Sequence, residues 1–163
     1  MRPWQRGALA ALALSAALGG TACELVLSEH RSGLPLQRLP LDPAKPAMEL
    51  VFTHSVLGTT VIDRYDWRVG EAGWYAQLVE ERFEGEGYGL PAQAAAGEVL
   101  LREGAGWRLM LQRRVDPLVV RPLPDQRMRL RLPKQTDMLL GSLSTQSIHM
   151  QVQGCPVPIK AIP

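Results

Sequence analysis

The sequence predicts an all-β domain: an antiparallel β-sandwich or barrel-like fold of about nine to ten short strands, after an N-terminal signal peptide. Apolar and polar residues alternate over many short segments, which is typical of half-buried strands. The 163 residues include 15 glycines and 13 prolines, and these separate the alternating segments as turn residues do. No segment of the chain beyond its N-terminus has the length and periodicity of a long helix, so sheets must supply the core.

The N-terminus has the three parts of a secretory signal peptide. Residues 1–6 are basic, residues 7–18 are apolar, and small residues lead up to Cys23. The apolar run is shorter than the roughly 20 residues that a membrane-spanning helix needs, and no later run approaches that length. We therefore expect a signal peptide at 1–22, a single β domain at 23–163 without a transmembrane span, and a periplasmic or secreted location.

The charge balance gives no indication of a nucleic-acid partner. The chain has 18 basic and 16 acidic residues, and Arg2 and Arg6 both belong to the predicted signal peptide. The mature chain would then carry 16 of each sign. A balanced domain that is exported has no electrostatic reason to bind nucleic acid.

Two cysteines remain in the mature chain, Cys23 and Cys155. In an oxidising compartment an even pair favours a disulfide. Cys23 also follows Gly20–Ala22, small residues of the kind that precede the lipidated cysteine of a lipoprotein. The sequence leaves three states open: a disulfide, a lipid anchor on Cys23, or free thiols.

The predicted strands follow one another with short connections. A first strand at 23–30 precedes a proline-rich loop at 31–47, which has room for a short edge strand near 34–39. A three-stranded meander occupies 49–83 and a second hairpin occupies 98–113. Alternation then predicts further strands at 118–121, 127–132, 138–143 and 148–152.

The first hairpin of the meander determines which polar residues meet. Residues 49–56 and 61–69 alternate strictly, and Leu57–Thr60 has Gly58 where a two-residue type II′ turn needs positive φ. This register places Phe52 opposite Tyr65. It also places His54 directly opposite Asp63, with both side chains on the apolar face.

The third strand extends this polar pair into a row. If the loop at 70–73 closes on Val69 and Trp74, then Glu80 faces Asp63 and Arg82 lies one step further along the same face. A loop longer or shorter by one residue would replace Glu80 with Glu81 or Val79.

The row has three interpretations. It is a hydrogen-bonded cluster at the rim of the core, a small-solute site that uses His54, Asp63, Glu80 and Arg82, or a metal site that uses the first three. The segment 85–91 would cover it, with Gly87 and Gly89 offering backbone N–H groups, unless it is only a demanding turn. A small anionic or carboxylate solute is the ligand expected at such a site.

No catalytic or cofactor motif is present, and we expect no enzyme activity and no cofactor. Ser55 and His54 are adjacent in a strand and therefore point to opposite faces, which excludes a serine hydrolase pair. Arg127, Arg129 and Arg131 form a basic stripe, which is a solvated edge strand or a surface for a protein partner.

Several short motifs resemble a bacterial family, the domain of unknown function 1850. They are the segment from Phe52 to Val56, the acidic residue Asp63 in the next strand, the segment from Leu78 to Glu80, and the turn from Gly87 to Pro91. The resemblance implies a small exported protein, often encoded beside tripartite transporters of the TRAP class. It supplies no established activity and no catalytic residue.

The leading hypothesis is a non-enzymatic periplasmic accessory or binding module linked to TRAP-type solute uptake, with a transporter or solute-binding protein as partner. The first alternative is a metal-dependent enzyme or metal-binding protein that uses His54, Asp63 and Glu80. The second is a structural or protein-interaction domain.

Overall fold

The fold is all-β, as predicted, and contains eleven strands in two antiparallel sheets. A computed structural model describes residues 22–157, so almost all of the predicted signal peptide lies outside the described residues. The strands are β1 (Glu24–Glu29), β2 (Pro35–Pro40), β3 (Ala47–Thr53), β4 (Thr60–Gly70), β5 (Gly73–Glu84), β6 (Val99–Glu103), β7 (Gly106–Val115), β8 (Leu118–Val120), β9 (Arg129–Arg131), β10 (Met138–Leu139) and β11 (Ile148–Gln153).

The two sheets pack face to face as a sandwich. The four-stranded sheet has the order β2-β1-β11-β8, and the seven-stranded sheet has the order β10-β9-β3-β4-β5-β7-β6. Side chains from both inner faces form one core; fully buried members are Leu25, Leu27, Met48, Leu50, Leu109, Leu130, Ile148 and Met150. Alternate residues of each strand therefore point inward, as the sequence pattern requires.

Helical structure in the described part of the chain is limited to two short 3-10 turns, Pro124–Gln126 and Leu140–Ser142. Neither has the length or apolar character that crossing a membrane would demand.

The predicted register between β3 and β4 is wrong by four residues. Phe52 lies opposite Val61 instead of Tyr65, and Leu50 takes the place opposite Asp63. The strands end earlier than alternation indicates, because residues 54–59 form a six-residue loop closed by a hydrogen bond from the His54 N–H to the Thr59 carbonyl (2.8 Å). An even shift leaves the inward-facing residues on the same face, so the core pattern survives the error.

The register between β4 and β5 is correct only as far as Leu78. Val69 pairs with Trp74, and Tyr65 pairs with Leu78, as predicted. A β-bulge then adds one residue to β5, so that Arg64 faces Glu80 and Asp63 faces Glu81. The bulge moves Glu80 and Arg82 to the outer face of the sheet and brings Glu81 to the inner face.

A disulfide joins Cys23 to Cys155, which confirms the predicted pair. The two residues are 132 positions apart, and the bond links the start of β1 to the segment after β11. Because a lipoprotein thioether would need the same sulfur of Cys23, this bond and lipidation exclude each other.

We expect loss of the disulfide to lower the free energy of unfolding by as much as about 5 kcal/mol, because a loop of this length restricts the unfolded chain strongly. Urea unfolding of the Cys23→Ala/Cys155→Ala variant, compared with the oxidised protein, measures the difference. Reduction of the native protein should give the same shift. Equal stability of the oxidised, reduced and variant forms would contradict the prediction.

Candidate functional site

A cleft of about 350 Å³ opens at the inner face of the larger sheet, near the start of β4 and the end of β5. Its walls come from β3, β4, β5 and β7 and from the loop that follows β5. The lining residues are Phe52, His54, Val61, Asp63, Glu81, Phe83, Tyr88, Gly89, Leu90, Pro91 and Arg113. Two of the polar residues singled out from the sequence, His54 and Asp63, and part of the glycine-containing segment thus line the cleft.

His54 stabilises two loops instead of facing Asp63 across a strand pair. Its Nδ1 accepts hydrogen bonds from the backbone N–H groups of Val56 and Leu57, each at 3.2 Å. Its Nε2 lies 3.3 Å from the Tyr88 carbonyl oxygen, so the tautomer that satisfies all three contacts carries its proton on Nε2. Both ring nitrogens are engaged with backbone groups, and this explains why residues 54–57 leave the strand.

The same two loops meet at two further points. The Thr59 hydroxyl donates a hydrogen bond to the Glu84 carbonyl at 2.8 Å. Gly85 has φ of 98°, and a Cβ there would lie 2.8 Å from a methyl carbon of Leu57. The positive φ therefore favours glycine at residue 85, and any larger residue there would also have to displace the Leu57 side chain.

The predicted loop over the site is correctly placed in part. Gly89 and the residues after it line the cleft, whereas Gly87 is absent from the lining. Tyr88, between these two glycines, has φ of 55° and is largely exposed. Its left-handed conformation keeps its carbonyl on the His54 ring while its side chain borders the cleft mouth.

Asp63 lies at the floor of the cleft, opposite Glu81. Burial raises the pKa of Asp63 to about 7, and the neighbouring Glu81 charge adds to the shift, while the Tyr65 hydroxyl and the Arg113 charge oppose it. One carboxyl oxygen, Oδ1, is buried and has no hydrogen-bond partner among residues 22–157. Asp63 is therefore a partly buried acid that takes up or releases a proton close to neutral pH.

The pKa values of the acidic groups around Asp63 are raised as well. Burial raises the pKa of Glu81, against the lowering effect of Arg113. Burial also raises the pKa of Tyr65, and the Asp63 and Glu81 charges contribute. Arg113 is shared, because its guanidinium also lies 3.4 Å from the Glu98 carboxylate. Three carboxyl groups thus surround one arginine at this end of the sheet.

Glu80 and Arg82 do not belong to the cleft, contrary to the predicted row. Both lie on the outer face of the sheet, where Arg82 Nε is 2.8 Å from Glu80 Oε1. Arg108 binds the other carboxylate oxygen through Nε at 2.9 Å and through a second nitrogen. Glu80 is only 5% exposed, so the two arginines neutralise a nearly buried carboxylate.

The metal interpretation of the row required His54, Asp63 and Glu80 to lie side by side, and the position of Glu80 removes that arrangement. Its three residues are divided between a loop, the inner face and the outer face of the sheet. No group of three or more histidine, cysteine, aspartate or glutamate side chains in the described residues is arranged to hold a metal ion.

Sequence reasoning named Glu81 only as an alternative to Glu80, and it missed Arg113 as a cleft residue. Apolar residues occupy even positions up to Leu78, but the next buried one is Phe83, at an odd position. That change of phase is the sequence signal of the bulge. Arg113 continues the inward phase of Leu109 and Leu111 in β7, so simple alternation also points to it.

The basic stripe is divided between different environments. Arg131 is held by Glu49 (3.2 Å) and Asp137 (3.1 Å). Arg127 has φ of 45° after a 3-10 turn, and Arg129 is exposed in β9. The three arginines therefore do not act as one uniform free patch.

Residues 48–139 match the family model described as Domain of unknown function (DUF1850). This match spans more than half of the chain, and the chain belongs to that family. Comparison with curated proteins and with solved structures finds no match. The matched region contains the cleft and strands β4 to β9, together with all of β3 except its first residue.

We expect Asp63→Asn to reduce the pH dependence of stability. The folded pKa of about 7 exceeds the usual value of about 3.9 in an unfolded chain, so stability from this group is present at acidic pH and is lost as pH rises to 7. The asparagine variant should gain roughly 2–4 kcal/mol relative to wild type between pH 4 and pH 8. Urea unfolding at both pH values measures the gain.

Glu71→Gln is the matched control for that experiment. Glu71 is exposed in the turn after β4, eight residues from Asp63, which is roughly 26 Å along a strand. Its replacement should leave the pH dependence unchanged. A similar effect of both substitutions would show that Asp63 does not control the titration.

We expect Glu80→Gln to destabilise the fold by roughly 1–3 kcal/mol, because two arginines lose their counter-charge while retaining partial access to water. Glu103→Gln, which removes a 3.9 Å contact to Arg82 at a more exposed position, should change stability by less than about 0.5 kcal/mol. Chemical denaturation compares the two. Equal effects would contradict a structural role for the Glu80 cluster.

Proposed function

We propose that this chain is a non-enzymatic binding module that acts outside the cytoplasm as an accessory to solute uptake, and that its solute binds in the Asp63 cleft. The main support is that one carboxyl oxygen of Asp63, at the floor of this cleft, is buried and has no hydrogen-bond partner among residues 22–157. The cleft volume of about 350 Å³ suits a small solute. A buried polar atom without a partner is costly, and a bound solute would relieve that cost.

The charge of the cleft favours a cationic solute. Asp63 and Glu81 face each other, and Arg113 is the single lysine or arginine among the described residues that line the cleft. Arg113 is also shared with Glu98. Negative charge is therefore in excess when the carboxyl groups are ionised, and a bound cation would stabilise both of them.

The apolar walls favour an organic cation over a bare metal ion. Phe52, Phe83 and Tyr88 line the cleft together with aliphatic side chains. Aromatic faces attract cations and also bury an apolar tail. A primary ammonium ion with a small hydrophobic group matches both the carboxyl floor and these walls.

A small carboxylate, the solute expected from the sequence, is the second candidate. One observation favours it: Asp63 is protonated below about pH 7 and could then donate a hydrogen bond beside Arg113. Arg82 does not contribute to such a site, because it pairs with Glu80 on the opposite face of the sheet.

The cellular role rests on different support. The Cys23–Cys155 disulfide is compatible with an oxidising compartment outside the cytoplasm, as the predicted signal peptide requires. The link to a TRAP-type transporter or its solute-binding protein comes from the family resemblance and from the cleft, since an accessory of uptake needs a solute or partner to recognise. The absence of a catalytic motif in the sequence supports a binding role over an enzymatic one.

The sign of the pH dependence separates the two solute classes. Benzylammonium and benzoate have nearly the same shape and opposite charge, and benzyl alcohol is a neutral control. Because ionised Asp63 attracts a cation, the affinity for benzylammonium should rise about tenfold between pH 5.5 and pH 8. Isothermal titration calorimetry at both pH values measures this change.

Asp63→Asn should remove most of the pH effect on binding, and Glu71→Gln should preserve it. Benzoate binding that strengthens as pH falls would favour the carboxylate candidate. If neither ion binds at either pH, or if binding survives Asp63→Asn unchanged, the cleft is not the solute site.

A further inference from the structure

The edge strand β6 differs from the other sheet edges. Within residues 22–157 the two sheets have four edge strands, β2, β8, β10 and β6. Proline stands at both ends of β2, while β8 and β10 have three and two residues. These are the usual protections against pairing with another chain. β6 has five residues, Val99–Glu103, and contains no proline.

The backbone of β6 is oriented for pairing on its free side. Glu103 and Gly106 close a two-residue hairpin loop in which Gly104 has φ of 60°. The residues that close such a loop direct their backbone groups toward each other. By alternation Val99, Leu101 and Glu103 therefore bond to β7, whereas Leu100 and Arg102 direct their N–H and C=O groups away from it.

An exposed apolar patch lies beside this edge. Val99 and Leu101 of β6 and Met110 of β7 are 51%, 45% and 44% exposed, and Val99 is paired with Met110. All three point to the outer face of the sheet, away from the core. Open backbone groups next to exposed aliphatic side chains are the combination that favours addition of another strand.

We propose that this edge is a dimerisation surface, at which β6 pairs antiparallel with β6 of a second copy of the chain. The two-fold axis passes beside Leu100, whose outward backbone groups pair with those of Leu100 in the second copy. This pairing would join the two larger sheets into one continuous sheet through an interface that uses the same residues on both sides.

Charge complementarity selects the second copy as occupant and also selects the register. In this register Val99 faces Leu101 of the second copy, and Arg102 faces Glu98, the residue before β6, whose carboxylate also lies 3.4 Å from Arg113 of its own chain. Apolar residues meet apolar residues, and each two-fold pair brings two Arg102–Glu98 pairs of opposite charge together. The alternative register centred on Leu101 would place Val99 opposite Glu103 and Leu100 opposite Arg102. The register centred on Leu100 is therefore the more complementary of the two.

Sedimentation-equilibrium measurements on the oxidised protein test the proposal. The wild type should show a reversible monomer–dimer equilibrium. Arg102→Glu would place two acidic side chains opposite each other at each end of the β6 pairing. It should therefore weaken dimerisation at least tenfold. Leu101→Lys should do the same, whereas Leu139→Lys, at an equally exposed residue of the β10 edge, should have no effect.

The exchanged variant Glu98→Arg/Arg102→Glu tests the register itself, because it restores opposite charges across the axis. It also removes the Glu98–Arg113 pair within the chain, so its reference is the Glu98→Arg single variant. Dimerisation of the exchanged variant should be at least tenfold stronger than that of either single variant. A wild type that is monomeric up to 0.5 mM overturns the proposal and leaves the edge to another partner. A dimer that is insensitive to Arg102→Glu and Leu101→Lys places the interface elsewhere and overturns it equally. Circular dichroism confirms that each variant is folded.

Discussion

One additional residue in β5 determines which charged groups of this protein meet. The bulge leaves Val79 without a partner on β4 and reverses the phase of every side chain after it. Glu80 thereby joins two arginines on the outer face, and Glu81 joins Asp63 on the inner face. A regular strand would have placed Glu80 and Arg82, an opposite-charge pair, beside Asp63. The bulge instead places two carboxyl groups, those of Asp63 and Glu81, beside the single cation Arg113, and the properties of the cleft depend on that separation.

Polar side chains lie at the floor of the cleft, and backbone hydrogen bonds join the two loops at its edge. His54 and Thr59 fix the loop after β3 to the loop after β5 through backbone contacts. A histidine beside a carboxyl-lined cleft suggests chemistry, but this one uses both ring nitrogens to hold the polypeptide. The role of His54 is therefore to position Tyr88 and Gly89 over Asp63, and a change at His54 would act on the shape of the cleft instead of on its charge.

Alternation along the sequence predicted the fold class and the inward-facing residues up to Leu78, because these depend on local periodicity. The two cysteines and the expected compartment offered the Cys23–Cys155 disulfide as one of three states. The pairing registers of β3 with β4 and of β4 with β5 were harder to predict. Leu57–Thr60 satisfies the rules of a tight turn, but the His54 side chain accepts the backbone donors that the predicted strand needed, and such competition is invisible in a pattern of apolar residues. The shift from Leu78 to Phe83 did record the bulge, although a single odd-numbered aromatic residue is a weak signal when loop length can also change. Glu81 and Arg113 follow once that phase change is recognised.

The position of β1 has a consequence for how the molecule is made. The smaller sheet contains the first two strands of the domain and two late ones, and β1 lies between β2 and β11. The chain is synthesised from its N-terminus, so the larger sheet can form from strands between β3 and β10 before β11 is available. During that time β1 and β2 form a hairpin that lacks its pairing partner β11. The last strand must arrive before that hairpin can be covered, and the disulfide to Cys155 joins the start of β1 to the segment just after that strand. Contacts that span almost the whole chain are slow to form, so the apolar face of β1 stays exposed until β11 pairs with it. The first strand to be made is therefore among the last to be protected.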